Sequence, residues 1–140
     1  MNVYFKDGSF LDFRRREGHY YMYARAVHQR SGIDGEKIDF IFDTGAQNTI
    51  LSKRRADEFG YLKMETKKSI KAGGIGGGFM LCSSVAIPSI VLTEGIIIND
   101  PVALIPEDHR FNINILGQDI LEKFSYYVDA KKQYIYFDIP

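Results

Sequence analysis

One aspartate in the sequence is placed where a carboxyl group can perform acid–base chemistry. Asp43 follows the apolar run Phe40-Ile41-Phe42 and precedes Thr44 and Gly45. A carboxyl group at the end of an apolar strand is partly withdrawn from water, which disfavours its charged form unless a partner compensates. Asp-Thr-Gly is also common in turns, so the tripeptide alone would indicate a turn rather than a catalytic group. The prediction of acid–base chemistry depends on the apolar residues that flank it.

Two further segments combine apolar strands with glycine. In Ile113-Asn114-Ile115-Leu116-Gly117-Gln118-Asp119, an apolar strand turns through Gly117 into a short helix. The run Gly73-Gly74-Ile75-Gly76-Gly77-Gly78 lies between two predicted strand arms at residues 70–72 and 79–81. A phosphate-binding loop is the alternative for this run, but no Lys-Ser/Thr follows it and the next segment is predicted as a strand. A hairpin with a mobile tip is favoured, because glycine accepts large backbone excursions at little steric cost.

Short strands separated by turn signals dominate the chain. They are predicted at residues 20–27, 38–42, 85–87, 89–92, 95–98, 102–105 and 134–137, with a hairpin loop at 31–35. One short helix is predicted over residues 53–59, capped by Ser52 and stopped by Gly60, and another over residues 118–124. Arg14-Arg15-Arg16 is interpreted as a solvated turn. The pattern predicts an all-β domain with one or two short helices, closed or nearly closed into a β-barrel.

Composition limits the class of protein. A chain of 140 residues is predicted to be one domain over residues 1–140. Whether about residues 1–15 form an N-terminal extension of that domain is left open. Lys+Arg and Asp+Glu both number 18, which gives no electrostatic reason to expect a nucleic-acid or membrane partner. The single cysteine, Cys82, excludes an internal disulfide and fits a reducing compartment. With no leader-like start and no apolar run of the ~20 residues that span a bilayer, we expect a cytoplasmic protein.

The three glycine-containing segments, in this order, resemble those of the retropepsin-type aspartic proteases, the single-domain relatives of pepsin. The family's first motif is matched by Ile41-Phe42-Asp43-Thr44-Gly45-Ala46 followed by Thr49-Ile50. Its second motif, hydrophobic-hydrophobic-Gly-x-Asp/Asn-hydrophobic-Leu, is matched by Ile115-Leu116-Gly117-Gln118-Asp119-Ile120-Leu121. The glycine run resembles the retroviral flap, with Ile75 in the place of its apical isoleucine. The resemblance extends from about residue 20 to the C-terminus.

The sequence departs from the retroviral pattern in the flap, which has one extra glycine, Gly78, and Ala72 in place of a bulkier residue, and in an ion pair near the first motif. Gln47 stands where the retroviral enzymes have an acid, and Gln118 stands where they have the arginine that pairs with it. Because both charges are missing, no charge is left without a partner, and an amide–amide contact can replace the ion pair. These changes bear on substrate preference and dimer stability more than on the chemistry.

The resemblance implies an acid-protease-type β-barrel with a flap hairpin, one lobe per chain, and the activity of an aspartic endopeptidase. Such an enzyme needs two carboxyl groups that flank one water and share a proton. The chain has one Asp-Thr-Gly, so a homodimer is implied in which Asp43 of each subunit meets at the twofold axis. No metal or other cofactor is expected, and His19, His28 and His109 lack the spacing of metal ligands.

The resemblance also implies the roles of the site residues. Asp43 activates the shared water, Thr44 hydrogen-bonds across the twofold axis, and Gly45 offers its backbone to the substrate. An extended protein or peptide substrate is expected to bind as an added strand, with hydrophobic side chains beside the cleaved bond. The implied substrate-binding residues are Gly74, Ile75 and Gly76 at the flap tip and Ala46, Ile50, Ile75 and Ile115 as pocket walls.

Two alternatives to a general endopeptidase stay open. One is a catalytically silent retropepsin-like module that dimerises and binds peptides, since a fold does not guarantee its function. The intact Asp43-Thr44-Gly45 favours the enzyme, because a carboxyl pair on the axis would otherwise only cost stability through mutual repulsion. The other is a narrow self-processing activity within a larger polyprotein.

Overall fold

The computed structural model describes residues 2–5, 10–16, 19–27, 34–61, 70–73, 79–93, 96–129, 131–132 and 134–138. These residues form mostly strands, with two short helices, as the sequence predicts. In chain order the elements are β1 (Asn2–Phe5), β2 (Phe10–Arg16), β3 (His19–Val27), β4 (Asp34–Phe42), α1 (Lys53–Glu58), β5 (Ile70–Gly73), β6 (Phe79–Ala86), β7 (Ser89–Thr93), β8 (Ile96–Asn99), β9 (Val102–Pro106), β10 (Ile115–Leu116), α2 (Gln118–Leu121), β11 (Ser125–Asp129) and β12 (Tyr134–Asp138).

The strands form two sheets. The larger one follows the order β10-β4-β3-β2-β1-β12-β11, and β7 joins it by pairing with β3 and with β8. The smaller one has the order β5-β6-β9. Within the described residues, the pairings of the larger sheet run as an open path from β10 to β11, so the predicted closure of the barrel is not seen there.

The N-terminal segment lies inside the larger sheet. Strand β1 pairs in parallel with β12 and antiparallel with β2. Our interpretation of Arg14-Arg15-Arg16 as a solvated turn is wrong, because Arg14, Arg15 and Arg16 continue β2 and pair with residues 19–21 of β3. The neighbouring aromatic strand β3 supplies these backbone partners, and strand pairing overrides the preference of a basic run for a turn.

The two helices lie where the sequence predicts them, and one is shorter than expected. Helix α1 begins after Ser52, whose side chain accepts a hydrogen bond from the backbone N–H of Arg55 at 3.3 Å. Gly60 follows the helix with φ 78, the left-handed conformation that glycine adopts readily. Helix α2 ends at Leu121 rather than at residue 124, because the chain must extend again to enter β11 at Ser125.

Strand β4 separates two hydrophobic clusters. Its side chains alternate between its two faces, so Phe40 and Phe42 join the larger cluster while Ile41 joins the smaller one. The smaller cluster consists of Ile41, Ile50, Cys82, Leu104 and Ile115, with Ala46, Met80, Phe111 and Ile113 packed against it. The site described below lies at the end of β4, beside this smaller cluster.

The predicted glycine hairpin has its two arms in place. Strands β5 and β6 pair antiparallel from Ile70↔Cys82 to Gly73↔Phe79. The predicted flap tip, Gly74, Ile75 and Gly76, lies outside the described residues. In the described part of the chain, neither helix has the length or the apolar run that a bilayer crossing requires.

Candidate active site

Two parallel strand ends position Asp43. Strand β10 pairs in parallel with the end of β4, with Ile115 opposite Ile41 and Leu116 opposite Phe42. The ladder continues one step further, because the Asp43 N–H donates to the Leu116 carbonyl oxygen at 3.2 Å. Asp43 is half-buried. The first residue after the apolar strand is therefore fixed through its backbone, while its side chain stays accessible at the strand end.

The loop after Asp43 turns back onto the carboxyl group. The Gly45 N–H donates to Asp43 Oδ1 at 2.9 Å, and the Ala46 N–H donates to the Asp43 carbonyl oxygen at 3.3 Å. A Cβ at position 45 would lie 3.3 Å from Asp43 Oδ1, which is tighter than most contacts of this kind. Glycine therefore leaves the carboxyl group room, and Thr44 and Gly45 are both exposed beside it.

Gly117 lets the second motif pack directly on this loop. A Cβ on Gly117 would lie 2.5 Å from both the carbonyl carbon and the carbonyl oxygen of Asn48, and 3.0 Å from the carbonyl oxygen of Ala46. The start of α2 then donates to the loop, with the Gln118 N–H 2.8 Å from the Ala46 carbonyl oxygen. The Asp119 N–H similarly donates to the Gln47 carbonyl oxygen at 3.1 Å. The two sequence motifs are thus joined backbone to backbone.

A side-chain contact between the buried Thr49 and the half-buried Asp119 completes this junction. The fully buried Thr49 donates its hydroxyl to Asp119 Oδ1 at 2.7 Å and its N–H to Asp119 Oδ2 at 3.0 Å. The Thr49 hydroxyl in turn accepts from the Gly117 N–H at 3.2 Å. Our sequence analysis assigned no role to this pair. The sequence did contain a signal for it. The first motif requires a hydroxyl residue at position 49, which can donate, and the second requires Asp or Asn at position 119, which can accept.

Gln118 binds the loop after Asp43 in a way that the sequence did not indicate. Its side-chain Nε2 donates to the Thr44 carbonyl oxygen at 2.8 Å. Gln47 is exposed, and its carbonyl oxygen accepts from the Asp119 backbone as described above. The Gln118 amide therefore binds the loop backbone in place of the amide–amide contact that the sequence allowed.

The structure brings three predicted pocket residues together next to this loop. Ile50 and Ile115 are 4% and 2% exposed and belong to the smaller cluster, and the half-buried Ala46 packs against it. Ile50 and Ile115 also exchange two backbone hydrogen bonds of 2.8 Å. Met80, from the β6 arm of the hairpin, packs against the same cluster. The first motif, the second motif and the hairpin arm therefore meet around one apolar cluster.

Ionisable groups elsewhere in the described residues form no comparable site. Arg110 donates from Nε to Asp108 Oδ1 at 3.0 Å, and its hydrogen bonds lower the pKa of Asp108 to about 2. Burial, helped by the charge of Glu107, raises the pKa of the fully buried Cys82 thiol. Among the described residues, no group of three His, Cys, Asp or Glu side chains is arranged to hold a metal ion.

Comparison with known proteins connects this arrangement to a protein family. A family model described as gag-polyprotein putative aspartyl protease matches residues 30–123, more than half of the chain. This span contains both sequence motifs and the hairpin between them. A search of curated protein sequences finds no match.

Solved structures share the fold at low sequence identity. A retropepsin-like aspartic protease from Rickettsia conorii has a TM-score of 0.61 and 23% identity, with 84% of this chain and 82% of that chain covered. The retroviral protease-like domain of Ddi1 from Leishmania major has a TM-score of 0.57 and 21% identity, with 79% of this chain and 81% of that chain covered. The EIAV protease, solved in complex with the inhibitor HBY-793, has a TM-score of 0.56 and 20% identity, covering 79% and 91%. The likeness establishes a retropepsin-like fold.

Proposed function

The chain belongs to the gag-polyprotein aspartyl protease family, and on that premise we propose that it is an aspartic endopeptidase that is active as a homodimer. The observation that carries the proposal is the setting of Asp43. Its carboxyl group is held by the Gly45 N–H at the end of β4, half-buried and beside the exposed Thr44 and Gly45. A carboxyl group in this position is fixed in direction and still open to water and to a second chain.

Hydrolysis of a peptide bond assigns different tasks to two such carboxyl groups. The ionised one takes a proton from the water between them, and the water oxygen attacks the carbonyl carbon of the substrate. The protonated one donates to the carbonyl oxygen as negative charge develops there. A proton then passes to the amide nitrogen, the C–N bond breaks, and a new carboxyl group and amine leave. Carboxyl groups about 3 Å apart share one proton readily, because both cannot be charged at that distance.

The second carboxyl group comes from a second copy of the chain in this proposal. The sequence contains one Asp-Thr-Gly, and a twofold axis brings the same residue of two subunits face to face. The exposed Thr44 of each subunit would then hydrogen-bond across the axis and keep the two loops in register. A single chain carries half of the chemistry and is expected to be inactive.

The substrate is an extended polypeptide in this proposal. It lies between the Asp43 loop and the β5–β6 hairpin and adds a strand, so that main-chain hydrogen bonds provide affinity. The Gly45 backbone is its partner on one side, and the flap tip of Gly74, Ile75 and Gly76 is its partner on the other. Ala46, Ile50, Ile75 and Ile115 form the apolar pocket walls, which favours hydrophobic side chains beside the cleaved bond. Closure of the barrel and of the flap belongs to the same proposal.

A peptide-library cleavage assay tests the proposal. The wild type is compared with Asp43→Asn across acidic to neutral pH, at a concentration where the dimer is shown to form, with and without a statine-type inhibitor. Asp57→Asn, the same chemical change on an exposed position of α1, is the matched control. We expect cleavage by the wild type and the control, and its loss in Asp43→Asn and with the inhibitor. If all three proteins bind peptide and none of them cleaves it, the result would favour the catalytically silent module instead.

A further inference from the structure

We propose that Gln118 is a positioning residue whose side-chain amide fixes the peptide group that holds the Asp43 carboxyl group. That peptide group joins Thr44 to Gly45 and is bonded at both ends. Its carbonyl oxygen accepts from Gln118 Nε2 at 2.8 Å, and its N–H donates to Asp43 Oδ1 at 2.9 Å. Because the peptide group is planar, holding its carbonyl oxygen also sets the direction of its N–H. The expected effect of Gln118 on catalysis rests on the proposed function, whereas its effect on the orientation of the Gly45 N–H does not.

The orientation of the Gln118 amide follows from its partner. A carbonyl oxygen only accepts hydrogen bonds, so the Gln118 atom that contacts it must be the nitrogen. The amide is neutral and therefore fixes the loop without adding a charge next to Asp43. A bond to the carbonyl oxygen of a peptide group also polarises that group, which strengthens the bond that its N–H donates to the carboxylate.

The turn that contains Thr44 and Gly45 explains why an external donor is needed. The Ala46 N–H donates to the Asp43 carbonyl oxygen, so residues 43–46 form a β-turn whose central peptide group is the one between Thr44 and Gly45. Turns of types I and II differ by a rotation of this central group through roughly 180°, and glycine at the third position permits both forms. Gly45 does not have the positive φ that the type II form requires. The rotated form would turn the Gly45 N–H away from Asp43, and the hydrogen bond from Gln118 opposes that rotation.

The donor itself belongs to a well-anchored segment. The Gln118 N–H donates to the Ala46 carbonyl oxygen at 2.8 Å, and the Gln118 carbonyl oxygen accepts from the Glu122 N–H at 2.8 Å. The next residue, Asp119, is bonded to the buried Thr49. Gln118 therefore reaches Thr44 from a backbone that is held on both sides, which is how a positioning residue gains precision.

Paired substitutions at Gln118 and Gln47 test the proposal through catalysis. Gln118→Met keeps the length of the side chain and removes its donor. We expect kcat to fall about tenfold with KM changed by less than about twofold, because the loss concerns the reacting group rather than uniform substrate binding. Gln47→Met is the control, since Gln47 is an exposed glutamine of the same loop whose contact with α2 is made by its backbone. Equal kcat in Gln118→Met and the wild type would overturn the proposal.

A charge-matched pair gives a pH profile that a merely structural role would not produce. In Gln118→Glu the ionised carboxylate cannot donate to the Thr44 carbonyl oxygen, whereas the protonated carboxyl group can. We expect the activity of this variant, relative to Gln118→Met, to recover as the pH is lowered. Gln47→Glu adds the same charge to the same loop and should show no such recovery. The other carboxyl groups of these segments, Asp43, Asp119 and Glu122, are common to all four variants. A recovery of equal size in both glutamate variants would contradict the proposal.

Amide hydrogen exchange separates this inference from the proposed function. Loss of the Gln118 donor should raise the exchange rate of the Gly45 N–H about tenfold or more. The Thr49 N–H, which donates to Asp119, should keep its rate and thereby report an intact fold. If the wild type cleaves no peptide, the proposed function fails and the Gly45 measurement still decides the role of Gln118. If Gly45 exchanges equally fast in the wild type and Gln118→Met, the positioning role is wrong even when cleavage is observed.

Discussion

At the scale of single residues, Gly117 is the position where the fold of the site tolerates least change. A Cβ there would meet the backbone of Asn48 at 2.5 Å, and a backbone cannot move aside as a flexible side chain does. We predict that Gly117→Ala lowers the free energy of unfolding by about 1–3 kcal/mol, the usual cost of forcing extra volume into a packed region. Urea unfolding monitored by circular dichroism measures this loss. An unchanged unfolding midpoint would show that the loop can move away from Gly117.

Gly45 provides the matched comparison, because its added Cβ would meet only the Asp43 carboxyl oxygen, at 3.3 Å. We predict that Gly45→Ala changes the unfolding free energy by less than about 0.5 kcal/mol, the range of most surface substitutions, yet lowers the rate of peptide cleavage. Crowding the carboxyl group disturbs the reacting atom without disturbing the core. A variant that unfolds as easily as Gly117→Ala, or that cleaves as fast as the wild type, would contradict this separation.

Cys82 is chemically shielded by its position in the smaller cluster. Its side chain is fully buried, and burial raises the pKa of its thiol, so the reactive thiolate is scarce at mildly alkaline pH. We predict that a disulfide reagent such as Ellman's modifies Cys82 slowly in the folded protein and one thiol per chain rapidly in denaturant. Rapid modification of the folded protein would place Cys82 at an accessible surface.

At the scale of elements, the contact of the buried Thr49 with the half-buried Asp119 joins the loop after β4 to helix α2. Thr49→Val keeps the shape of the side chain but leaves the buried Gly117 N–H without its acceptor, whereas Asp119 Oδ1 loses the hydroxyl and keeps the bond from the Ile120 N–H. We predict a loss of about 2 kcal/mol in unfolding free energy, because a buried group without its partner keeps its full desolvation cost. Thr49→Ser retains the hydroxyl and should lose less than half of that in the same urea titration. If both variants lose the same unfolding free energy, the junction is stabilised by packing of the methyl group rather than by the hydrogen bonds.

Local signals made some of these elements predictable. Helix α1 is capped by Ser52 and followed by Gly60 with positive φ, and both signals act within a few residues of the helix they limit. The order of the two motifs and the hairpin also follows from the sequence, because each combines apolar residues with glycine at short spacing. The arms of the hairpin pair in the expected antiparallel way.

Pairings between distant residues were not predictable in the same way. Strand β1 pairs with β12 from the opposite end of the chain, and no local pattern in residues 2–5 predicts which strand it pairs with. The three arginines of β2 were misinterpreted for a different reason: their partners in β3 are only three to seven residues away, but the basic run itself carries no strand signal. Gln118 was noticed as a departure from the retroviral pattern, but its contact with Thr44 requires the two motifs to be folded against each other.

At the scale of the whole molecule, we predict that activity depends on pairs of chains. If each site needs Asp43 from both subunits, mixing the wild type with Asp43→Asn forms hybrid dimers that hold one competent carboxyl group and are inactive. After subunit exchange, cleavage should fall with the square of the wild-type fraction. Mixing with Asp57→Asn, which changes an exposed aspartate of α1, should leave cleavage per chain unchanged. A linear decline with the wild-type fraction would show that each chain acts alone.

The number of inhibitor molecules bound per chain distinguishes a site shared by two chains from a site within one chain. A statine-type inhibitor places its hydroxyl between two carboxyl groups, where it takes the place of the attacking water. Calorimetric titration combined with sedimentation should give one inhibitor for every two 16.0 kDa chains, in a dimeric complex that Asp43→Asn fails to form. One inhibitor bound per single chain, or binding of equal strength by Asp43→Asn, would contradict the shared site.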